Sequence, residues 1–222
     1  MILEIPNFLT AEEVAKLLAL WRDLTFADGR ASNPANTTKH NLQADLTTPQ
    51  GIEASNIVAA AYARSQHFRD FAFPTQIAPP LLARYEPGMK YGVHADVPHM
   101  IVPGAGPLRS DLSSTVFIAD PASYQGGELV IHMGTHPAVI KGEAGSAVVY
   151  PSTTLHEVRP VTSGARLVAI TFIQSAIRDE FKRTQLYELN DVALLEGMKM
   201  GWQNRIRLEG VRYNLMRMWA ED

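Results

Sequence analysis

The sequence predicts an α+β protein in which helices at both ends flank an antiparallel β-sandwich or jelly roll. Three observations support this fold class. Apolar residues recur at helical spacing near the two ends of the chain, short β-rich runs fill residues 81–173, and Gly, Pro or Asp stands in nearly every gap between those runs. Because 222 residues suffice for one sizeable core, we expect one catalytic domain with helical additions.

The N-terminal region is expected to be helical. Residues Thr10 to Glu13 have the form of a capping box, which predicts that a first helix begins there. The apolar residues that follow at helical spacing are Val14, Leu17, Leu18, Trp21 and Leu24. Residues 28–50 are rich in Asn, Thr, Gly, Pro and Asp and predict a surface loop or lid, and a second helix is expected over about residues 52–66.

The β-rich region is punctuated by turn residues. The predicted strands are residues 81–85, 91–96, 113–118, 128–132, 138–141, 146–150, 155–158 and 165–173. From residue 177 onward the apolar spacing is helical again. The residues that carry it are Phe181, Leu186, Leu189 and Val192 in one stretch and Tyr213, Leu215, Met216 and Trp219 in another.

Composition limits the possible partners and location. The net charge of −3 leaves no basic stripe for nucleic acid or an anionic membrane. The chain contains no cysteine, so a metal must bind to His, Asp or Glu. The first residues lack the features of a secretion signal, and no apolar run is long enough for a membrane span. A cytoplasmic protein acting on a small molecule or a peptide is expected.

The candidate site combines His94, Asp96, His156 and Arg166, each in a stretch predicted to be a strand. Residues i and i+2 of a strand point to the same face, so His94 and Asp96 are expected to face one cavity, with His156 joining from another strand. Two imidazoles and one carboxylate form the facial triad that holds ferrous iron with open positions. Arg166 is expected to be buried nearby and to pair with a carboxylate, the alternative being an internal salt bridge.

The residues as a whole resemble the Fe(II)/2-oxoglutarate-dependent dioxygenases of the prolyl 4-hydroxylase type, and among them the PKHD-type hydroxylases. The resemblance runs almost from end to end. It is carried by Pro79–Gly88, Tyr91–Asp96, Arg109–Thr115, Asp120–Leu129, Tyr150–His156, Pro160–Arg166, Ile173–Ser175 and Asn214–Glu221.

The resemblance implies a double-stranded β-helix core, with His94, Asp96 and His156 as iron ligands and Arg166 as partner of the distal carboxylate of 2-oxoglutarate. Tyr85 falls where relatives have a tyrosine near the co-substrate. The implied reaction hydroxylates an unactivated C–H of a peptidyl or amino-acid-like substrate and converts 2-oxoglutarate to succinate, with ascorbate as a candidate reductant. Fold and function together are expected to divide the chain into a dioxygenase domain (residues 1–176, with a helical segment over residues 1–75 and a jelly-roll core over residues 79–176) and a C-terminal helical extension (residues 177–222).

Several alternatives stay open. The chain could be a sensor that binds iron and 2-oxoglutarate with little turnover, or a cupin-like metal enzyme that needs no keto acid. His132 and His136 flank a short turn and suggest either a second metal site or exposed hairpin histidines. Apolar residues near the C-terminus, such as Trp202 and Met218, predict either core packing or a homodimer contact through the helical regions.

Overall fold

The computed structural model describes residues 1–33 and 35–221. Pro34, within the predicted loop, and Asp222, within the predicted C-terminal extension, lie outside the described residues. The helices are α1 (Ala11–Leu20), α2 (Pro49–Arg64), α3 (Gln66–Ala72), α4 (Glu180–Glu196) and α5 (Trp202–Trp219). The strands are β1 (Leu3–Ile5), β2 (Phe26–Asp28), β3 (Lys39–His40), β4 (Leu42–Ala44), β5 (Pro74–Ile77), β6 (Leu81–Tyr85), β7 (Lys90–His94), β8 (His99–Val102), β9 (Gly106–Arg109), β10 (Leu112–Phe117), β11 (Gln125–Gly126), β12 (Leu129–Met133), β13 (His136–Ile140), β14 (Ala147–Pro151), β15 (His156–Val158), β16 (Val161–Ser163) and β17 (Arg166–Ser175).

Two antiparallel sheets face each other. The major sheet has the order β1-β14-β10-β17-β6-β4-β2, with β5 paired to β17. The minor sheet has the order β13-β12-β15-β7-β3. Two two-stranded ribbons, β8-β9 and β11-β16, complete the β structure of the described chain. This architecture confirms the predicted jelly roll with added helices.

The major sheet is covered on both faces. Leu82 belongs to the core formed with α1, α2 and α3, whereas the next residue, Ala83, belongs to the core between the two sheets. This alternation follows from the two-residue period of a strand. The central strand β10 is buried at all six positions, because helices cover one of its faces and the minor sheet covers the other.

The N-terminal region contains strands as well as the predicted helices. The capping box at α1 is confirmed, since Thr10 accepts from the Glu13 amide and the Glu13 carboxylate accepts from the Thr10 amide. The prediction of an unbroken loop over residues 28–50 was wrong, because β4 joins the major sheet there and β3 joins the minor sheet. The predicted helical segment over residues 1–75 contains α1, α2 and α3, together with β1 and β2, which also join the major sheet. Strands of two or three residues are too short to show an alternating pattern.

The second helix begins earlier and ends earlier than predicted, and α3 follows it as a separate helix. The side chain of Thr48 caps α2 and that of Ser65 caps α3. A Ser at the junction provides an acceptor for the first amides of a new helix, which favours a break there.

The C-terminal helices are less buried than their apolar spacing predicts. Leu186 is buried on α4, but Phe181 is 72% exposed and Val192 is 45% exposed. None of the described residues of α5 is buried. No helix in the portion of the chain that the structure describes is long and apolar enough to span a membrane. The division between residues 176 and 177 stays a prediction.

Candidate metal centre and its cavity

A cavity of about 700 Å³ lies between the two sheets. All five residues singled out from the sequence, His94, Asp96, His156, Arg166 and Tyr85, line it. His94 ends β7 and His156 begins β15, and the two are register partners across these strands. Asp96 was predicted to lie in the same strand, but β7 ends two residues before it.

The three side chains are close enough to share one ion. Asp96 Oδ1 lies 3.8 Å from His94 Nε2, and Asp96 Oδ2 lies 3.5 Å from His156 Nε2. One candidate ligand atom from each residue lies within 4.8 Å of the other two. In residues 1–33 and 35–221, this is the one group of three or more His, Asp or Glu side chains with that spacing.

Backbone carbonyls orient both imidazoles. His94 Nδ1 lies 2.8 Å from the Gly92 carbonyl and His156 Nδ1 lies 2.9 Å from the Thr154 carbonyl. A carbonyl only accepts, so each Nδ1 carries the proton and each Nε2 of a neutral ring keeps its lone pair for a metal. Burial, with a smaller contribution from His156, lowers the pKa of His94 to about 4, so this ring is neutral at pH 7.

Two serines hold the carboxylate. Ser113 Oγ donates to Asp96 Oδ2 at 2.5 Å, and Ser113 Oγ lies 2.7 Å from Ser152 Oγ. Both serines are almost fully buried. The sequence analysis missed them, because Ser113 lies 17 residues from Asp96 and Ser152 a further 39 residues along the chain.

Arg166 is a buried cation without an ion pair. It begins β17, is 1% exposed and forms no salt bridge with any described carboxylate, which removes the alternative of an internal ion pair within those residues. Its Nε has no hydrogen-bond partner among them. Tyr85 is the register partner of Arg166 on β6, and the guanidinium carbon lies 5.0 Å from the centre of its ring. Because an unpaired buried charge is costly, this arrangement favours an anionic ligand.

A glycine leaves room for this side chain. Gly127 has a φ of 70°, in the left-handed region, and a Cβ at this position would lie 3.0 Å from Arg166 Cδ. Both the backbone conformation and the close approach therefore favour glycine. The sequence analysis did not detect this contact.

A second buried cation, Lys39, lines the same cavity. Its side chain leaves β3 and donates from Nζ to Ser32 Oγ at 2.6 Å. Burial lowers the pKa of Lys39 to about 8, with Asp96 and Asp28 acting in the opposite direction, so the amine stays mostly charged at pH 7. The sequence analysis missed Lys39, because it lies in the polar stretch that was interpreted as a loop.

The mouth of the cavity is formed in part by the β8-β9 hairpin, which the strand predictions also missed. Its residues Met100, Ile101 and Val102 line the cavity, and Ile101 is 76% exposed. At its base Arg109 forms two hydrogen bonds with the Asp111 carboxylate, at 2.8 and 3.0 Å, and Asp111 accepts from the Ser175 amide.

The second-metal hypothesis finds no support. His132 Nε2 lies 3.8 Å from Glu157 Oε1, and His136 is exposed at the far side of the β12-β13 turn. Among the described residues, neither histidine belongs to a group of three side chains that could hold a metal ion. His136 is an exposed hairpin residue, as that alternative predicted, whereas His132 is partly buried.

The donor set and its surroundings suit ferrous iron. Two imidazoles and a carboxylate lie on one side of a cavity with space on the other, which is the geometry of non-haem iron oxygenases. Together with the jelly roll, the site defines the class of 2-oxoglutarate- and iron-dependent oxygenases. Residues 80–174 match the family described as the 2OG-Fe(II) oxygenase superfamily.

Curated relatives narrow this class. The chain is 50% identical to a PKHD-type hydroxylase of Sphingopyxis alaskensis, over 88% of each chain, and 39% identical to one of Paracoccus denitrificans, over 100% of each. The chain therefore belongs to the PKHD-type hydroxylases, which use Fe(II) and 2-oxoglutarate. This membership confirms the resemblance and the enzyme class predicted from the sequence, and it disfavours the cupin-like alternative.

Solved structures show the same fold. A prolyl hydroxylase from Trichoplax adhaerens, in complex with a peptide fragment of hypoxia inducible factor, superposes with a TM-score of 0.58 at 18% identity, covering 83% of this chain and 86% of that chain. A prolyl-4-hydroxylase from Pseudomonas putida gives 0.54 at 19% identity, covering 78% and 92%.

Proposed function

We propose that His94, Asp96 and His156 bind Fe(II), that Arg166 binds the distal carboxylate of 2-oxoglutarate, and that the enzyme hydroxylates an unactivated C–H of a peptidyl or amino-acid-like substrate. The observation that carries this proposal is the presence, in one cavity, of a three-donor metal face and a buried arginine without an ion pair.

The proposed reaction balances as one substrate C–H, dioxygen and 2-oxoglutarate giving one C–OH, succinate and CO₂. One oxygen atom enters the substrate and the other enters succinate. Bound iron supplies the activation of dioxygen, and the protein supplies binding, orientation and exclusion of water. Ascorbate stays a predicted reductant.

The residues of the chain have separate tasks in this scheme. The Gly92 and Thr154 carbonyls fix the tautomers of the two histidines, and Ser113 fixes the carboxylate of Asp96. The planar guanidinium of Arg166 matches a carboxylate in two parallel hydrogen bonds. Tyr85, which is 3% exposed and whose pKa is raised by burial, stands beside Arg166 as a candidate contact for the co-substrate.

The test is an anaerobic visible difference spectrum of metal-free protein given Fe(II) and then 2-oxoglutarate. We expect a charge-transfer band that is lost in His94→Ala and weakened in Arg166→Ala. The exposed residues His136 and Arg159 provide matched controls, and His136→Ala and Arg159→Ala should keep the band. A folded, iron-loaded protein without a band would overturn the assignment. Succinate formed in proportion to a hydroxylated product would separate the enzyme from a sensor with little turnover.

We further propose that the protein forms a homodimer through its C-terminal helices. Support comes from large apolar side chains left exposed in these helices and in the turn between them: Leu194 (73%), Met198 (79%) and Trp202 (68%). Light scattering should then report a dimer for the wild type and a monomer for Met198→Glu. A monomeric wild type would refute the proposal.

A further inference from the structure

The cavity holds one more cation than the proposed co-substrate needs. Lys39 is 5% exposed and forms no salt bridge among residues 1–33 and 35–221. Its Nζ makes one described hydrogen bond, to Ser32 Oγ, so two of its three N–H groups have no described acceptor. Buried charges in proteins are normally paired, and the remaining donors of Lys39 suit an anionic ligand.

Lys39 stands next to the metal centre. It is the register partner of Tyr91 on β7, and its Nζ lies 5.1 Å from the centre of the Tyr91 ring. The Tyr91 ring stacks on the ring of His94, with centres 3.6 Å apart and planes 17° apart. The Tyr91 hydroxyl accepts from Asn33 Nδ2 at 3.0 Å, which fixes the ring between the cation and the candidate ligand.

Lys39 and Arg166 enter the cavity from different sheets. Lys39 is on the edge strand of the minor sheet, whereas Arg166 is on a central strand of the major sheet. Under the proposed function, Arg166 takes the distal carboxylate of 2-oxoglutarate and the metal takes the other end. Lys39 is then free to bind a second anion.

The other residues that line the cavity indicate the chemistry of the uncharged part of that second ligand. Apolar side chains that line the cavity include Leu46, Ile52, Met100, Ile101 and Phe172. A volume of about 700 Å³ is large enough for 2-oxoglutarate and a further small molecule. A cation beside the metal and an apolar wall together favour an acid with an apolar body.

We propose that Lys39 binds a carboxylate of the substrate, so that this enzyme hydroxylates an organic or amino acid with a free carboxylate and an apolar body. The inference rests on the proposed function and deepens it. It favours the amino-acid-like substrate over an internal protein segment without Asp or Glu at the site, because a residue inside a chain has no free α-carboxylate. Lys39 is a specificity-determining residue in this scheme.

The experiment uses the protein loaded anaerobically with Fe(II) and saturating 2-oxoglutarate, and octanoate and octanamide as probes. The two probes share an apolar chain and differ in charge. Their affinities are measured by calorimetry for the wild type, Lys39→Met and Lys90→Met. Methionine keeps the length of the lysine side chain, and Lys90, exposed on the neighbouring strand, is a charge-matched control.

We expect the wild type to bind octanoate at least about tenfold more tightly than octanamide, since a desolvated charge-assisted hydrogen bond contributes an effect of that size. Lys39→Met should lose this preference while its affinity for octanamide is unchanged, and Lys90→Met should keep it. Equal affinities in the wild type, binding of neither probe, or a preference that persists in Lys39→Met would each overturn the inference.

The charge-transfer band of the same samples distinguishes failure of the proposed function from failure of the role of Lys39. No band in the wild type means that the proposed function fails. A band in the wild type and in Lys39→Met, without a preference for octanoate, means that this inference alone fails. Loss of the band in folded Lys39→Met would assign Lys39 to the co-substrate and would also overturn the inference.

Discussion

Ser113→Ala offers a sharp test of the metal centre, because it changes no ligand. The serine hydroxyl donates to Asp96 Oδ2 at 2.5 Å and is itself close to Ser152 Oγ. Ser113 is 2% exposed, so water cannot readily replace the lost donor. A hydrogen bond to a charged group contributes about 1.5–3 kcal/mol, which corresponds to roughly a tenfold to hundredfold weaker affinity. Partners behind metal ligands generally have effects of this size.

The assay is a titration of metal-free protein with Fe(II) under saturating 2-oxoglutarate, followed by the charge-transfer band. The neighbouring Ser114 is the matched control. Its Oγ donates to the Val148 carbonyl at 2.9 Å and accepts from the Tyr62 hydroxyl at 2.7 Å, on the helix-covered side of the same strand. We expect Ser114→Ala to lower the free energy of unfolding and to leave the Fe(II) affinity unchanged. Wild-type affinity in Ser113→Ala, or an equal loss in both variants, would refute the reasoning.

Three further predictions follow from the site. Arg166→Lys should raise the KM for 2-oxoglutarate by about tenfold or more, because an ammonium cannot form the two parallel hydrogen bonds of a guanidinium; an unchanged KM in steady-state kinetics would contradict the assignment. Gly127→Ala should lower the free energy of unfolding by about 1–2 kcal/mol in denaturant titrations, since alanine is strained at a φ of 70°. It should also weaken 2-oxoglutarate binding, because the new Cβ would displace Arg166. Gly134→Ala, at a φ of 62° with open space around it, should lower stability without weakening this binding. The pKa of His94 is lowered from 6.5 to about 4 in the folded state, so the unfolded chain binds the extra proton and the metal-free protein should lose stability as the pH falls through that interval. His94→Gln should lose part of this dependence in denaturant titrations at several pH values, and a slope identical to that of the wild type would count against the shift.

The sequence predicted the residues whose chemistry and spacing are distinctive. His94, Asp96, His156 and Arg166 were assigned to one cavity, and the structure brings all four to its wall. Strand alternation and the turn residues between the strands made this possible, since five or more alternating residues give a readable pattern. The long strands were accordingly predicted to within about two residues of their observed ends.

The sequence did not predict the groups whose role depends on distant neighbours. Ser113 and Ser152 are ordinary polar residues along the chain, and only the pairing of β10 with β14 brings them together. Lys39 lies in a two-residue strand, where no periodicity exists to indicate burial. Asp96 was placed on a strand because it follows the alternation, although β7 ends at His94. In each case the position of the residue is set by contacts with residues distant in sequence.

The β8-β9 hairpin has a consequence for how this family can diversify. It is inserted between Asp96 and β10, and both ends of the insertion are fixed: Asp96 is held by Ser113, and Arg109 is held by Asp111 and the Ser175 carbonyl. Its tip, the exposed turn at residues 103–105, carries none of the proposed ligands. Insertions and substitutions at the tip can therefore accumulate without moving the proposed iron ligands, which makes the hairpin a place where contacts with the substrate can vary.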